Sequence, residues 1–380
     1  MHQVDKVKYA TTAIILFLIS APIVARSQNQ NPTLTLHAQS HEVVLQVTVR
    51  DKHGNLVPTL DKGDFTLTED GRAQVIKSLA IDPAVPMRIG LLVDTSRHMM
   101  SAMESERKAA DKFIDTMLPA EPKSPQSEAD QAFLIHFDHE VELLRDFTTS
   151  REKLHAELDN MGPTSRSRDD REGPETTDNP RERPRGGPGT TQLYDAIYLA
   201  SNEVLKRDPG VRNVLVVFSD GVDGGSKVTL NEALDAADKA NAVIYAVFLK
   251  GERSGNNFGF PGSGRQGGIG GGWPGGGGYP GGGYPGGGRS EGRPSVDGRK
   301  IMEEIAKRTG GRYFDTKKKD DLDQIYGLIA QELRGQYLLT YTPDKEDNDG
   351  GYHKVVLTCK KSDWSVMIRQ GYFAPGDDTK

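Results

Sequence analysis

The sequence contains a single cysteine in 380 residues. No intramolecular disulfide can form, so the fold must rest on its core alone. Positive charge is not in excess either: 48 Lys and Arg stand against 54 Asp and Glu, a formal charge of −6. With no basic stripe to offset that balance, nucleic acid is a poor candidate partner. Hydrophobic residues make up only 35%, and the shortfall traces to 43 glycines, about half of them in the one segment 251–295; elsewhere the composition is that of an ordinary globular chain. Beyond residue 24 no run is apolar enough to span a bilayer. Also missing are a Gly-x-Ser-x-Gly elbow, a His-Glu-x-x-His pair and a phosphate-cradling glycine loop, so the common hydrolase and nucleotide-binding chemistries have no motif here.

What is present begins with an export signal. Lys6 and Lys8 precede a mostly apolar run from Ala10 to Val24, and Ala25-Arg26-Ser27 offers small residues for cleavage. The run is short for a transmembrane helix; an uncleaved anchor is the alternative. The expected organisation is a signal peptide over 1–27, an N-terminal β unit over 28–86, an α/β domain over 87–335 and a C-terminal β unit over 336–376. The protein is then expected outside the cytoplasm, secreted or in the periplasm or cell envelope, with no stable membrane span once the signal is removed.

The strand signals open with Glu42–Arg50, where apolar and polar residues alternate. Asp64–Glu69 is a second strand, Asp70-Gly71 a hairpin turn, and Val75–Leu79 a third strand. From Met87 the pattern changes. Apolar runs at Met87–Val93, Phe133–Phe137, Val214–Phe218 and Ala242–Leu249 suit strands buried on both faces. Between them lie helical periodicities through Met103–Met117, Leu154–Met161, Leu193–Val204, Leu230–Ala240, Ile301–Ile305 (closed by Gly310-Gly311) and Leu322–Leu333. Val141–Phe147 is expected to return as an antiparallel edge. Alternating buried strands and amphipathic helices predict a doubly wound α/β domain with a mostly parallel sheet. Strand patterns resume at Tyr337–Thr342, Tyr352–Lys360 and Trp364–Gln370, with Asn348-Asp349-Gly350-Gly351 as a turn. Neither terminal segment has enough strands for a core, so the two are expected to pack together as one β-sandwich-like unit. Cys359 falls in one of these strands and is expected to pack inward. Residues 162–188 and 251–295 are too polar or too glycine-rich to offset their ordering entropy and are expected to be disordered insertions. A tolerated surface insertion is the plain account of each; a sticky role for Trp273, Tyr279 and Tyr284 at the strand-end rim is the functional one.

Three loops carry candidate chemistry. Asp94-Thr95-Ser96-Arg97-His98 follows the first buried strand, Gly189-Thr190-Thr191 precedes the helix beginning near Gln192, and Ser219-Asp220-Gly221 follows the strand Val214–Phe218. A carboxylate and a hydroxyl two residues apart suit a hard divalent cation, which takes oxygen ligands. The plain alternatives are N-capping for Asp94 and Ser96 and a turn for Asp220-Gly221. Asp223 and Asp195 are expected to be a solvated loop residue and a polar-face helix residue, and His136 and His139 lack a partner at metal spacing.

The order strand-Asp-x-Ser-x-x, Gly-Thr before a helix, then strand-Ser-Asp-Gly resembles the metal-ion-dependent adhesion site of von Willebrand factor type A (VWA) domains, over roughly residues 87–335. Val49-Arg50-Asp51-Lys52-His53-Gly54-Asn55-Leu56-Val57, Asp64-Phe65 to Asp70-Gly71 and Arg369-Gln370-Gly371-Tyr372 are similar to secreted bacterial VWFA-related proteins. The resemblance implies Mg²⁺ or Mn²⁺ held by Asp94, Ser96 and Thr191 (preferred to Thr190 on the family spacing to Leu193 and Ile197), with Asp220 close by or bound through water. A partner carboxylate would complete the shell. The family has Ser where this chain has His98; imidazole favours Zn²⁺ over Mg²⁺, and its bulk could exclude the ion. The expected function is therefore a binding protein with no catalytic residues, engaging a protein or cell-surface ligand. The alternatives are a scaffold with a degenerate, metal-free site, and a hydrolase using Ser96.

Overall fold

Alternation in Val43–Arg50 commits Val43, Leu45, Val47 and Val49 to one face, and all four are buried in the structure. The structure is a computed structural model describing residues 42–82, 85–120, 129–162, 191–205, 210–250, 297–316, 321–345 and 349–376. All of these lie in the second of two units into which the chain divides, Ser40–Lys380. The expected export signal and, apart from Gly162, both low-complexity insertions lie outside the described residues.

The chain enters through β1 (Val43–Arg50), β2 (Phe65–Glu69), β3 (Arg72–Gln74) and β4 (Ile76–Ala80). It continues with β5 (Met87–Asp94), α1 (Met103–Met117), β6 (Gln131–Phe137), β7 (Val141–Thr148), α2 (Arg151–Asn160) and α3 (Leu193–Leu199). Next come β8 (Arg212–Ser219), α4 (Leu230–Lys239), β9 (Ala242–Phe248), α5 (Gly298–Thr309), β10 (Tyr313–Asp315) and α6 (Asp321–Gly335). It closes with β11 (Tyr337–Tyr341), β12 (Tyr352–Cys359), β13 (Ser365–Met367) and β14 (Gly371–Phe373).

The apolar runs form one six-stranded sheet in the order β10-β9-β8-β5-β6-β7. It is parallel except for β7, the expected antiparallel edge. Helices cover both faces. Ile89, Leu91 and Val93 of β5 share a core with Phe113 of α1, Leu154 of α2 and Ile329 of α6. Leu92 faces the other way, into a core with Ile197 of α3, Leu234 of α4 and Ile305 of α5. Burial on both faces is why these strands show no alternation in sequence. The helix expected from Leu193 to Val204 is α-helical only to Leu199. It then widens into a π turn over Ala200–Val204, closed by the Leu205 N–H donating to the Ala200 carbonyl at 2.8 Å. Helix α5 stops where Gly310-Gly311 foretold, with Gly310 left-handed at φ +81°.

The terminal strands join as expected, in two antiparallel sheets ordered β13-β1-β11-β4 and β14-β12-β2-β3. β1 pairs with β11 from Val43↔Tyr341 to Val47↔Tyr337, and β2 pairs with β12 from Phe65↔Cys359 to Glu69↔Val355. Between the sheets lies one core containing Leu45, Leu67, Leu339 and Leu357, with half-buried Cys359 packed against it. The strand expected at Val75–Leu79 is β4, one residue further on and paired with β11. Just before it, β3 pairs with β2 in the other sheet, and Val75, at 81% exposure, marks the crossing between the two. The strand expected at Trp364–Gln370 is shorter: it contains only β13, paired with β1, and β14 follows it to pair with β12. Corners of packed sheets are made where the chain switches sheets in this way.

Candidate functional site

Strand order reverses between β5 and β8: the chain winds outward through β6 and β7, then back through β8, β9 and β10. At such a switch point the loops after neighbouring strands diverge and leave a crevice at the carboxyl edge, where α/β folds place their ligands. Asp94 ends β5 and Ser219-Asp220 ends and follows β8, so both loops open onto that crevice. Thr191 arrives from the other side. The Gln192 N–H donates to the Asp138 carbonyl beyond β6 at 2.8 Å, while the Thr191 carbonyl accepts from the Gly224 and Gly225 N–H groups at 3.1 Å. All three sequence-derived loops are thus tied to one edge of the sheet.

Asp94 is buried to 1% exposure. Its Oδ1 accepts from the Ser96 N–H at 3.0 Å and its Oδ2 from the Ser219 hydroxyl at 2.7 Å. Burial pushes its carboxyl up to about 7, against the pull of the Ser96 and Ser219 hydrogen bonds and with a small push from the negative Asp220 nearby. Ser96 and Thr191 are buried, Asp220 is half-buried with Oδ1 accepting from the Val222 N–H at 3.0 Å, and His98 is exposed on the rim beside exposed Arg97 and Met100. Asp94 and Asp220 carry carboxylates and Ser96 and Thr191 hydroxyls, oxygen donors of the kind a hard cation takes. His98, alone of the five candidates, is exposed.

Several contributors were not legible beforehand. Ser219 stood in the third candidate loop with no role of its own, yet its hydroxyl bridges Asp94 and the Gly221 N–H, which it accepts at 3.1 Å. Asp223, expected as a solvated residue, is half-buried and clasps two loops: its Oδ1 accepts from the Tyr194 N–H at 3.2 Å and from the Ser226 hydroxyl at 2.5 Å. Asp195, expected on a polar face, is buried and accepts from the Lys227 N–H at 2.9 Å and the Val228 N–H at 3.0 Å. Together these carboxylates lock the start of α3 against the 223–228 loop and so position Thr191. Glu106 on α1 is fully buried, and neither of its carboxylate oxygens has a hydrogen-bond partner among the described residues. Burial, then the charge of Asp94, holds its carboxyl well above the usual range. Its one sequence signal was an acid on the apolar face of α1, three and four residues from Met103 and Ala110. His136 is buried with Nε2 at 3.0 Å from Glu142 Oε2, and His139 Nδ1 lies 3.3 Å from Asp138 Oδ2.

Gly221 sets the height of the third loop. It is left-handed at φ +70°, and a Cβ there would stand 2.2 Å from the Gly298 carbonyl oxygen at the start of α5. Gly221→Ala is expected to destabilise the protein by about 2–3 kcal/mol through backbone strain and overpacking. Cation affinity should fall with it, because Asp220 moves with the loop. Urea denaturation with a parallel Mg²⁺ titration checks both; unchanged stability would mean that the loop does not pack on α5.

Residues 89–222 match the family model described as von Willebrand factor type A domain. No curated protein sequence matches the chain. Among solved structures, proximal thread matrix protein 1 from the mussel byssus is similar at 13% identity and a TM-score of 0.43, over 70% of this chain and 51% of that one. A further structure of that protein, with a zinc-occupied MIDAS motif, aligns at 10% identity and a TM-score of 0.40, over 66% of this chain and 48% of that one. A von Willebrand factor type A structure from Catenulispora acidiphila aligns at 10% identity and a TM-score of 0.38, over 90% of this chain and 76% of that one. The chain spans about half the length of the mussel protein.

Proposed function

We propose that this chain, which carries a VWA domain over residues 89–222, binds a protein or cell-surface ligand through a divalent cation held where β5 and β8 diverge. One observation carries the reading: Asp94 is a carboxylate taken out of water at the switch point, and its two oxygens receive only a main-chain N–H and hydroxyl groups. An ionised carboxylate in that position lacks a compensating positive charge, and a cation supplies one. Asp94, Ser96 and Thr191 would hold the ion, with Asp220 direct or through water. An oxygen-only set favours Mg²⁺ or Mn²⁺; Zn²⁺ becomes preferred if His98 turns inward from the rim. When bound, the ion supplies a Lewis-acidic point for an acidic oxygen of the partner. The chain's own residues do the positioning. Ser219 fixes the Asp94 rotamer, and the Asp195 and Asp223 clasps set the Thr191 loop.

A hydrolytic role for Ser96 has little support. A serine nucleophile needs a base oriented toward its hydroxyl, whereas the group bonded to Ser96 is Asp94, already engaged by Ser219. We place the protein outside the cytoplasm on the strength of the Lys6, Lys8 and Ala10–Val24 pattern. Among the described residues, no helix is long and apolar enough to cross a membrane.

Calorimetric titration with Mg²⁺, Mn²⁺ and Zn²⁺, for the wild type and Asp94→Ala, tests the site. Saturable Mg²⁺ or Mn²⁺ binding that Asp94→Ala abolishes is expected, and for Zn²⁺ the loss of one binding event. Capture of cell-envelope proteins on the immobilised chain should then depend on the same residue and fail with chelator. Partner capture that survives both changes would leave a metal-independent scaffold.

A further inference from the structure

A second cluster of ligand-type side chains lies in the β-sandwich, away from the strand-end loops. Glu69, Asp70 and His353 each offer one ligand atom, and these three atoms all lie within 4.8 Å of one another. Glu69 ends β2 facing the core. Its neighbour Asp70 would point to the opposite face in a continuous strand, but it is left-handed at φ +48°, and its carboxylate meets His353 of β12. His353 Nδ1 stands 2.8 Å from Asp70 Oδ2 and 3.9 Å from Glu69 Oε1. Atoms bound to one Zn²⁺ at its usual bond lengths are about 3–3.4 Å apart. The observed separations bracket that spacing.

The surroundings have the form of a built site. Glu69 is 1% exposed. The Tyr341 hydroxyl donates to its Oε2 at 2.6 Å and the Tyr372 hydroxyl at 3.2 Å, which fixes the carboxylate with Oε1 3.9 Å from His353 Nδ1. The Lys354 N–H holds Asp70 Oδ1 at 2.9 Å. On the far side of the ring, His353 Nε2 is buried, has no hydrogen-bond partner among the described residues, and lies 3.5 Å from Asp349 Oδ1. Metal-bound imidazoles commonly turn their second nitrogen toward a carboxylate in this way.

We propose that Glu69, Asp70 and His353 form a structural zinc-class site, ligated through Glu69 Oε1, Asp70 Oδ2 and His353 Nδ1, with Asp349 orienting the imidazole. One nitrogen and two carboxylate oxygens suit Zn²⁺ better than Mg²⁺. The ion ties the β2–β3 turn to β12 and, through Tyr372, to β14. That staple is useful where β3 and β14 are three residues each and a lone cysteine rules out an internal disulfide.

The test uses the full chain on an Asp94→Ala background, which silences the strand-end site. ZnCl₂ is titrated in competition with a chelating dye, and Co²⁺ loading is followed by its visible absorption. Asp94→Ala is expected to take up Zn²⁺ and to give a Co²⁺ spectrum with nitrogen coordination. Adding His353→Gln should weaken binding at least tenfold and erase that spectrum, and Asp349→Asn should weaken it about tenfold. Asp70→Asn, on a more exposed side chain, serves if His353→Gln does not fold, as judged by circular dichroism in EDTA. Equal zinc affinity with and without His353, or no zinc uptake by Asp94→Ala, overturns the proposal and leaves an ion-free cluster of imidazole and carboxylates.

Discussion

Glu332→Ala is expected to cost about 3–5 kcal/mol of folding stability, the usual consequence of removing one partner from a buried ion pair. Glu332 lies on α6 at 0% exposure and is ion-paired with Arg50 of β1 and, at 3.0 Å, with Arg312 Nη1 ahead of β10. Burial, followed by repulsion from Arg312, already pushes Arg50 down to about 10. Without the carboxylate, two guanidinium groups would face each other with nothing between them. The same junction carries Gln336 Nε2, which donates to Thr48 Oγ1 at 3.1 Å and to the Tyr245 hydroxyl at 3.0 Å. It therefore joins β1 of the sandwich to α6 and β9 of the α/β domain. Urea denaturation measures the loss. Arg50→Met combined with Glu332→Leu should lose less than Glu332→Ala alone, since it removes one charge along with its partner. A loss below about 1 kcal/mol for Glu332→Ala would show that water reaches the junction.

Asp94→Asn is expected to act in opposite directions on stability and on binding. In the metal-free protein the folded carboxyl titrates at about 7, above its ordinary 3.8. Below pH 4 the group is neutral in both states and carries no penalty. Between about pH 4 and pH 7 the unfolded chain releases the proton first, so the wild type loses stability as pH rises; above 7 the penalty is complete. A shift of that size corresponds to a ceiling of about 4 kcal/mol. Asn has a single acceptor oxygen, so Ser96 N–H or the Ser219 hydroxyl loses a partner, which returns roughly 1–2 kcal/mol. In EDTA, Asp94→Asn should thus be more stable than wild type by about 2 kcal/mol at pH 8, and no more stable at pH 4. Millimolar Mg²⁺ should raise the wild-type midpoint and leave that of the variant unchanged. Denaturation curves at pH 4, 6 and 8, with and without Mg²⁺, decide the matter. A difference independent of pH would mean that Asp94 is ionised and satisfied without a cation.

Much of this architecture was open to inspection before any coordinates, because its signals are local. Unbroken apolar runs such as Met87–Val93 arise only when both faces of a strand are covered, and Gly310 ends α5 because its left-handed backbone suits glycine. The strand-end loops were legible for the same reason: Asp94 and Asp220 stand at the ends of recognisable strands and Thr191 just ahead of a recognisable helix, though the choice of Thr191 rested on the family resemblance. What escaped notice depends on partners far away in sequence. Arg72–Gln74 and Gly371–Phe373 carry too short a pattern to read as strands, and only pairing with β2 and β12 makes them so. Asp223 and Asp195 look solvated until Tyr194, Lys227 and Val228 are brought to them. Glu332 is one acid among several on α6 until Arg50 arrives from the far end of the chain.

The order of elements, the faces they bury and the residues at the strand ends were thus set by short-range pattern, since helix and strand periodicity and turn chemistry act over a few residues. Which carboxylates lose water, which of them face arginines, and how β1 locks onto α6 were decided only by the tertiary structure. Burial and Coulomb energy depend on distances in space, and those distances join residues that sequence separates by hundreds of positions.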